Sequence, residues 1–215
     1  MAVTTKICGV DTVTAVQAAV SGGAAFVGFI FYPPSPRHVT PQQALTLAAQ
    51  IPSSVGKVGV FVDPTDADLD STAGTLPLTM VQLHGSEDAE RVDAIRAQTG
   101  LPVMKAIQVA EARDLGQAAA FESVADWLLF DAKPPRNMVS ALPGGNALSF
   151  DWNLLRGHTK TFPWMLSGGL TPENVAEAVR ATGARTVDVS SGVEDAPGVK
   201  NPDKIRSFLD VTRSL

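Results

Sequence analysis

Short apolar runs recur along the chain, and between them the hydrophobic positions space out as they do on a helix. Eight runs read as strands: residues 3–7, 26–31, 57–62, 80–83, 102–107, 127–130, 164–166 and 186–189. They are apolar almost throughout, the pattern of parallel strands covered on both faces. Helix signals fill the gaps. "DTVTAVQAAVSGGA" opens at a capping residue and ends in glycines. Thr40 is a predicted N-cap with Pro41 at the first helical position. "SEDAERVDAIRAQTG" offers Ser86 as cap, acidic residues in its first turn and Gly100 as its stop. "TPENVAEAVRATGA" repeats the Thr-Pro start, and "NPDKIRSFLDVTRSL" is the last helix. "DADLDSTAGTL" predicts a short, weak helix. The Pro/Gly-rich "PPRNMVSALPGGNALS" predicts a loop, its "PPRNMVSALPGG" part a candidate mobile lid, before a short helix around "FDWNLLRG".

Eight strands alternating with helices predict an α/β fold, a single-domain (β/α)8 TIM barrel of eight parallel strands. The length of 215 residues is near the lower limit for that architecture, about 200 residues. An open doubly wound sheet is the structural rival. No linker or shift of composition divides the chain, so residues 1–215 read as one barrel domain.

Strand side chains alternate with period two, and this turns the pattern into chemistry. Lys6 and Cys8 share a face, as do Gln82 and His84, and Asp188 and Ser190. Lys105 is polar within an apolar strand, and Asp131 ends "WLLFD". In a barrel this polar set is expected to point inward, near the C-terminal strand ends where barrel active sites sit. Buried polar groups need partners, so their convergence predicts a wet pocket or a mutual network. "LSGGLTPENV" and "DVSSGVED" follow the seventh and eighth strands, the second leading into a short extra helix. Glycine admits close backbone N–H approach, and loops at these two positions often hold phosphate in barrels. The expected ligand is a small phosphorylated metabolite. Taken alone, either loop is equally a tight turn.

Composition removes other classes. Lys+Arg 17 against Asp+Glu 22 leaves no basic stripe for a nucleic-acid backbone. No run is long enough for a membrane span, and the first residues lack a signal-peptide pattern, so a cytoplasmic protein is expected. One cysteine makes no intrachain disulfide, and the three histidines (His38, His84, His158) are far apart, so no metal site is expected. Neither a P-loop nor a G-x-G-x-x-G after a strand is present, so no cofactor is expected. Cys8 at this point reads either as a small buried hydrophobe or as a reactive group.

"KICG" at 6–9, "VGFIFYPPSPR" at 27–37, "VGVFVD" at 58–63, "VQLHG" at 81–85, "LLFDAK" at 128–133, "GGNALSFDW" at 144–152, "LSGGLTPENV" at 166–175 and "DVSSGVE" at 188–194 lie along nearly the whole chain. As an ordered set they resemble the phosphoribosylanthranilate isomerase family of tryptophan biosynthesis. The resemblance implies an isomerase without cofactor or metal, performing an Amadori rearrangement of N-(5-phosphoribosyl)anthranilate to 1-(2-carboxyphenylamino)-1-deoxyribulose 5-phosphate. It implies Asp131 as general acid and Cys8 as general base. These roles ask for opposite shifts: Asp131 raised, with Leu129 and Trp127 as desolvating neighbours, and Cys8 lowered, with Lys6, a layer deeper, either its activating cation or the partner of a carboxylate. It further implies Arg37 as clamp for the anthranilate carboxylate, Asp188 as acceptor for ribose hydroxyls, and Gly168, Gly169, Ser191 and Gly192 as phosphate contacts. His84 lines the pocket with no proton-transfer role. The resemblance leaves monomer and homodimer both open. A related barrel enzyme such as indole-glycerol-phosphate synthase or a sugar-phosphate isomerase, or a non-catalytic phosphometabolite-binding barrel, is the alternative. One departure is visible: Ala147 occupies the last position of a usual Gly-Gly-x-Gly pattern, and alanine resists positive φ.

Overall fold

The eight runs form one closed ring. The structure is a computed structural model and describes residues 3–135, 142–157 and 162–215. The strands are β1 (Thr4–Cys8), β2 (Phe26–Phe31), β3 (Gly56–Phe61), β4 (Met80–Leu83), β5 (Val103–Val109), β6 (Trp127–Ala132), β7 (Trp164–Leu166) and β8 (Thr186–Val189). Each pairs in parallel with the next, and β1 pairs with β8 from Thr4↔Thr186 to Ile7↔Val189, closing the barrel. The open-sheet alternative is thereby excluded. Part of the expected lid (residues 136–141) and His158 lie outside the described residues.

The linking helices are α1 (Val13–Ser21), α2 (Pro41–Ala48), α3 (Asp66–Thr72), α4 (Ala89–Thr99), α5 (Val175–Thr182) and α6 (Pro202–Arg213). Thr40 caps α2 through a reciprocal capping box with Gln43. Two expected caps move. Asp88, not Ser86, caps α4 by accepting the Arg91 N–H, because Ser86 is used in the preceding turn, where Asp63 takes both its N–H and its hydroxyl. Asn174 precedes α5, while Thr171 and Pro172 form the turn before it. Between β5 and β6 a 3-10 helix, Ala112–Ala120, replaces an α-helix. After β8 come a 3-10 turn, Ser191–Val193, and a hairpin of β9 (Glu194–Ala196) with β10 (Val199–Lys200).

Two apolar layers hold the fold. Ile7, Val27, Phe29, Leu128, Phe130, Val187 and Val189 face the helices. Val58, Val60, Met80, Met104, Ala106, Leu129 and Met165 fill the barrel, with Phe26 edge-on to Trp127 at 6.2 Å. Alternation on β5 therefore puts Met104 and Ala106 inside and Lys105 outside, against expectation. Lys105 Nζ donates to Glu87 Oε2 and to the Gly85 carbonyl, both at 2.7 Å, in the helix layer.

Candidate active site

The C-terminal strand ends open into one pocket walled by Cys8, Arg37, His84, Asp131, Ser167 and Asp188. They arrive from the ends of β1, β4, β6, β7 and β8 and from the loop after β2, so the closed ring itself makes the site.

Lys6 and Cys8 project from the same face of β1. Lys6 is fully buried, and its Nζ donates to Asp188 Oδ1 at 2.8 Å across the β1–β8 seam. Burial favours neutral Lys6, but the charges of Asp188 and Cys8 outweigh it and hold the ammonium above its ordinary range. Asp188 Oδ2 accepts the Ser167 hydroxyl at 3.4 Å. Cys8 departs from the expected direction. Burial pushes its thiol up, and Asp188 adds to the rise; Lys6 pulls down without overcoming them. Lys6, which also bonds Asp188, is the strongest influence holding the thiol down, and burial still outweighs it.

Asp131 ends the inward-facing series Trp127, Leu129, Asp131 on β6 and is almost buried. Its Oδ1 accepts the N–H of Ala132 at 2.9 Å, and its Oδ2 lies 3.1 Å from His84 Nε2. Behind the imidazole, Gln82 Nε2 lies 2.9 Å from His84 Nδ1. Lys133, two residues on, donates to Asp114 Oδ1 at 2.8 Å. A Cβ on Gly168 would stand 2.8 Å from the Ala132 nitrogen and 3.3 Å from Asp131 Oδ1.

Arg37 is buried rather than solvated. Its Nε and Nη2 donate to Glu194 Oε1 and Oε2 at 2.7 and 2.8 Å, a fork-to-fork pair, and Nη2 also reaches the Gly145 carbonyl at 3.1 Å. Lys200 shares Glu194 Oε1 at 2.5 Å and donates to Ser190 Oγ at 3.2 Å. Burial raises the Glu194 carboxyl, but Arg37 and Lys200 outweigh it and hold it below the usual range. This network was not read from the sequence. Glu194 stood in the "DVSSGVE" motif, but only the β9–β10 hairpin turns it back onto Arg37.

The two glycine loops meet at the mouth. A Cβ on Gly192 would fall 1.8 Å from the Leu170 carbonyl oxygen, so glycine there lets the 191–193 turn lie on the 168–171 turn. Gly169 and Ser191 line the pocket, and Gly169, Ser191 and Gly192 also line a shallower opening beside Lys204. No loop carbonyl among the described residues takes the N–H of Gly169, Ser191 or Gly192.

A thiol, a carboxyl and a guanidinium gathered at the C-terminal face of a closed parallel barrel define the class: a (β/α)8 barrel with its chemical groups at the strand ends. The comparisons with known proteins then give the family. The model of N-(5'-phosphoribosyl)anthranilate (PRA) isomerase matches residues 5–211, and the chain belongs to that family. It is 58% identical to the N-(5'-phosphoribosyl)anthranilate isomerase of Paracoccus denitrificans over 209 residues, covering 97% of this chain and 96% of the relative. The crystal structure of phosphoribosyl anthranilate isomerase from Thermotoga maritima is similar at TM-score 0.88 and 36% identity, covering 99% of this chain and 100% of that one. A phosphoribosyl anthranilate isomerase in complex with reduced 1-(o-carboxyphenylamino)-1-deoxyribulose 5-phosphate is similar at TM-score 0.85 and 34% identity, over 99% of this chain and 100% of that one.

Proposed function

We propose that this chain isomerises N-(5-phosphoribosyl)anthranilate to 1-(2-carboxyphenylamino)-1-deoxyribulose 5-phosphate. The observation that carries the reading is the placement of Cys8 and Asp131, from β1 and β6, in the walls of one pocket that also holds Arg37. An Amadori rearrangement needs this division, because its acid and its base act on different atoms of the sugar.

Asp131 gives a proton to the furanose ring oxygen. The C1′–O bond breaks, and the amine lone pair forms a protonated Schiff base. Cys8, as thiolate, takes the C2′ proton. The C2′–H electrons become the C1′=C2′ bond of an enolamine, and the nitrogen returns to neutral. Loss of the enol proton and protonation of C1′ then give the ketone. The Schiff base also answers the raised Cys8 thiol: its positive charge arrives beside Sγ and supplies the stabilisation that burial withholds and that Lys6 restores only in part. Arg37, fixed by Glu194, presents the rest of its guanidinium to the anthranilate carboxylate. Asp188 takes the ribose hydroxyls. Gly168, Gly169, Ser191 and Gly192 receive the phosphate through backbone N–H groups.

The test is turnover of phosphoribosylanthranilate generated in situ, followed by loss of its fluorescence. Cys8→Ala and Asp131→Asn should each lower kcat by about 10²–10⁴-fold, the range for a general acid or base. Arg37→Ala should raise KM and also lower stability, because Glu194 loses its buried fork-to-fork partner. Full activity in either acid–base variant sinks that assignment. Binding without turnover by the parent protein would favour a non-catalytic barrel.

A further inference from the structure

Gln82 is fully buried in the wall of the pocket that also holds His84 and Asp131. Among the described residues its Oε1 has no hydrogen-bond partner. Among the described residues its side-chain polar contact is Nε2 to His84 Nδ1, at 2.9 Å. A buried amide with one end unpaired is costly where a leucine or methionine would pack without loss, so the amide's polar work is directed at the imidazole.

An amide nitrogen donates and does not accept. With the amide nitrogen at that contact, Nδ1 of a neutral His84 accepts, which assigns the ring proton to Nε2, 3.1 Å from Asp131 Oδ2. Turned the other way, the amide would offer Oε1 to an Nδ1–H and leave Nε2 bare. A bare Nε2 would repel an ionised Asp131, or accept the proton of a protonated one and draw it away from the pocket. With Nε2 already protonated, the imidazole can only donate. The Ala132 N–H on Oδ1 and the His84 N–H on Oδ2 then fix the carboxyl plane. The acid proton is left on the lone pair that faces the substrate.

We propose that Gln82 is a positioning residue that holds His84 in its Nε2–H tautomer, so that the imidazole orients Asp131 and does not capture the proton Asp131 delivers. The inference rests on the isomerase reading above, but its first readout needs no turnover. Nitrogen-15 shifts and ring couplings of His84 in the unsubstituted protein should show Nε2–H and a bare Nδ1. Gln82→Met, of similar length but without a donor, should leave His84 as a mixture of tautomers. It should lower kcat about tenfold with KM changed less than about twofold, the signature of a lost transition-state contribution. Gln82→Glu, which offers only acceptors, should place a proton on Nδ1. In a His84→Asn background, Gln82→Met should cost less than about twofold further, because its partner is gone. An Nδ1–H, bare-Nε2 ring in the parent overturns the proposal. So does Gln82→Met with an unchanged tautomer or unchanged kcat, the result a purely packing role would give. If the parent protein does not turn over at all, the isomerase reading fails, and the tautomer spectrum still decides whether Gln82 sets the ring.

Discussion

At the scale of the residue, Ala147 carries a cost that can be measured. Its φ is +56°, in the left-handed region that favours glycine. That conformation costs an L-residue about 1–2 kcal/mol. Glycine's greater freedom in the unfolded chain takes back about 0.5–1 kcal/mol. Ala147→Gly should thus stabilise the protein by about 0.5–1 kcal/mol, seen as a higher urea midpoint at unchanged slope. An unchanged or lower midpoint would mean that contacts of the alanine methyl offset the strain. The position of Ala147 was legible in the sequence as a departure from a glycine pattern. Its φ was not, because the sequence does not say whether the loop keeps the turn or relaxes it. Cys8 shows the same limit. Alternation turned it inward beside Lys6, but the sign of its shift depends first on burial and then on how Lys6 divides its charge between the thiol and Asp188. That division became visible only once β8 was placed beside β1.

At the scale of the element, the β9–β10 hairpin acts as the mount of Arg37. It is three residues paired with two, too short and too polar to show as strands by periodicity. The long parallel strands were readable because both faces are apolar. Lys105 was misplaced because a lone lysine in such a strand was assigned inward by its polarity rather than by counting from Met104. A buried pair broken on one side leaves a buried charge, at about 3–5 kcal/mol. Glu194→Gln should destabilise by an amount of that order and should raise KM more than it lowers kcat, since Arg37 loses its orientation. The acid limb of stability supplies a second check. With its folded pKa below the unfolded value of about 4.3, Glu194 stabilises the native state above that pH. The contribution disappears as pH falls through the lowered folded value. Denaturant midpoints measured downward from pH 5 should therefore fall less steeply in Glu194→Gln than in the parent. Parallel slopes would remove Glu194 from the acid response.

At the scale of the whole molecule, the site exists because the ring closes. Lys6 and Asp188 are 182 positions apart, and only the β1–β8 pairing sets them within 2.8 Å. The same seam is fastened from outside by Thr5 Oγ1 donating to Thr212 Oγ1 at 2.9 Å, from the last helix to the first strand. Eight ordered runs predicted a ring. They could not predict which inward charges would neutralise each other across its seam. A charge pair with both members buried contributes less through attraction than through the penalty of leaving one member alone. Lys6→Met should therefore cost about 3–5 kcal/mol, because Asp188 is left charged and unpaired within the barrel. Lys6→Met combined with Asp188→Leu should recover most of that loss, since neither charge remains, while lacking the ribose contact proposed for Asp188. The thiol provides an independent reading of the same seam. Lys6 pulls the Cys8 thiol down and Asp188 pushes it up. Lys6→Met should thus slow alkylation of Cys8 at fixed pH by raising the thiol further, and Asp188→Asn should speed it. Equal alkylation rates in the parent and both variants would show that burial alone governs the thiol. A double variant no more stable than Lys6→Met would show that the seam depends on the shape of these side chains rather than on their charges.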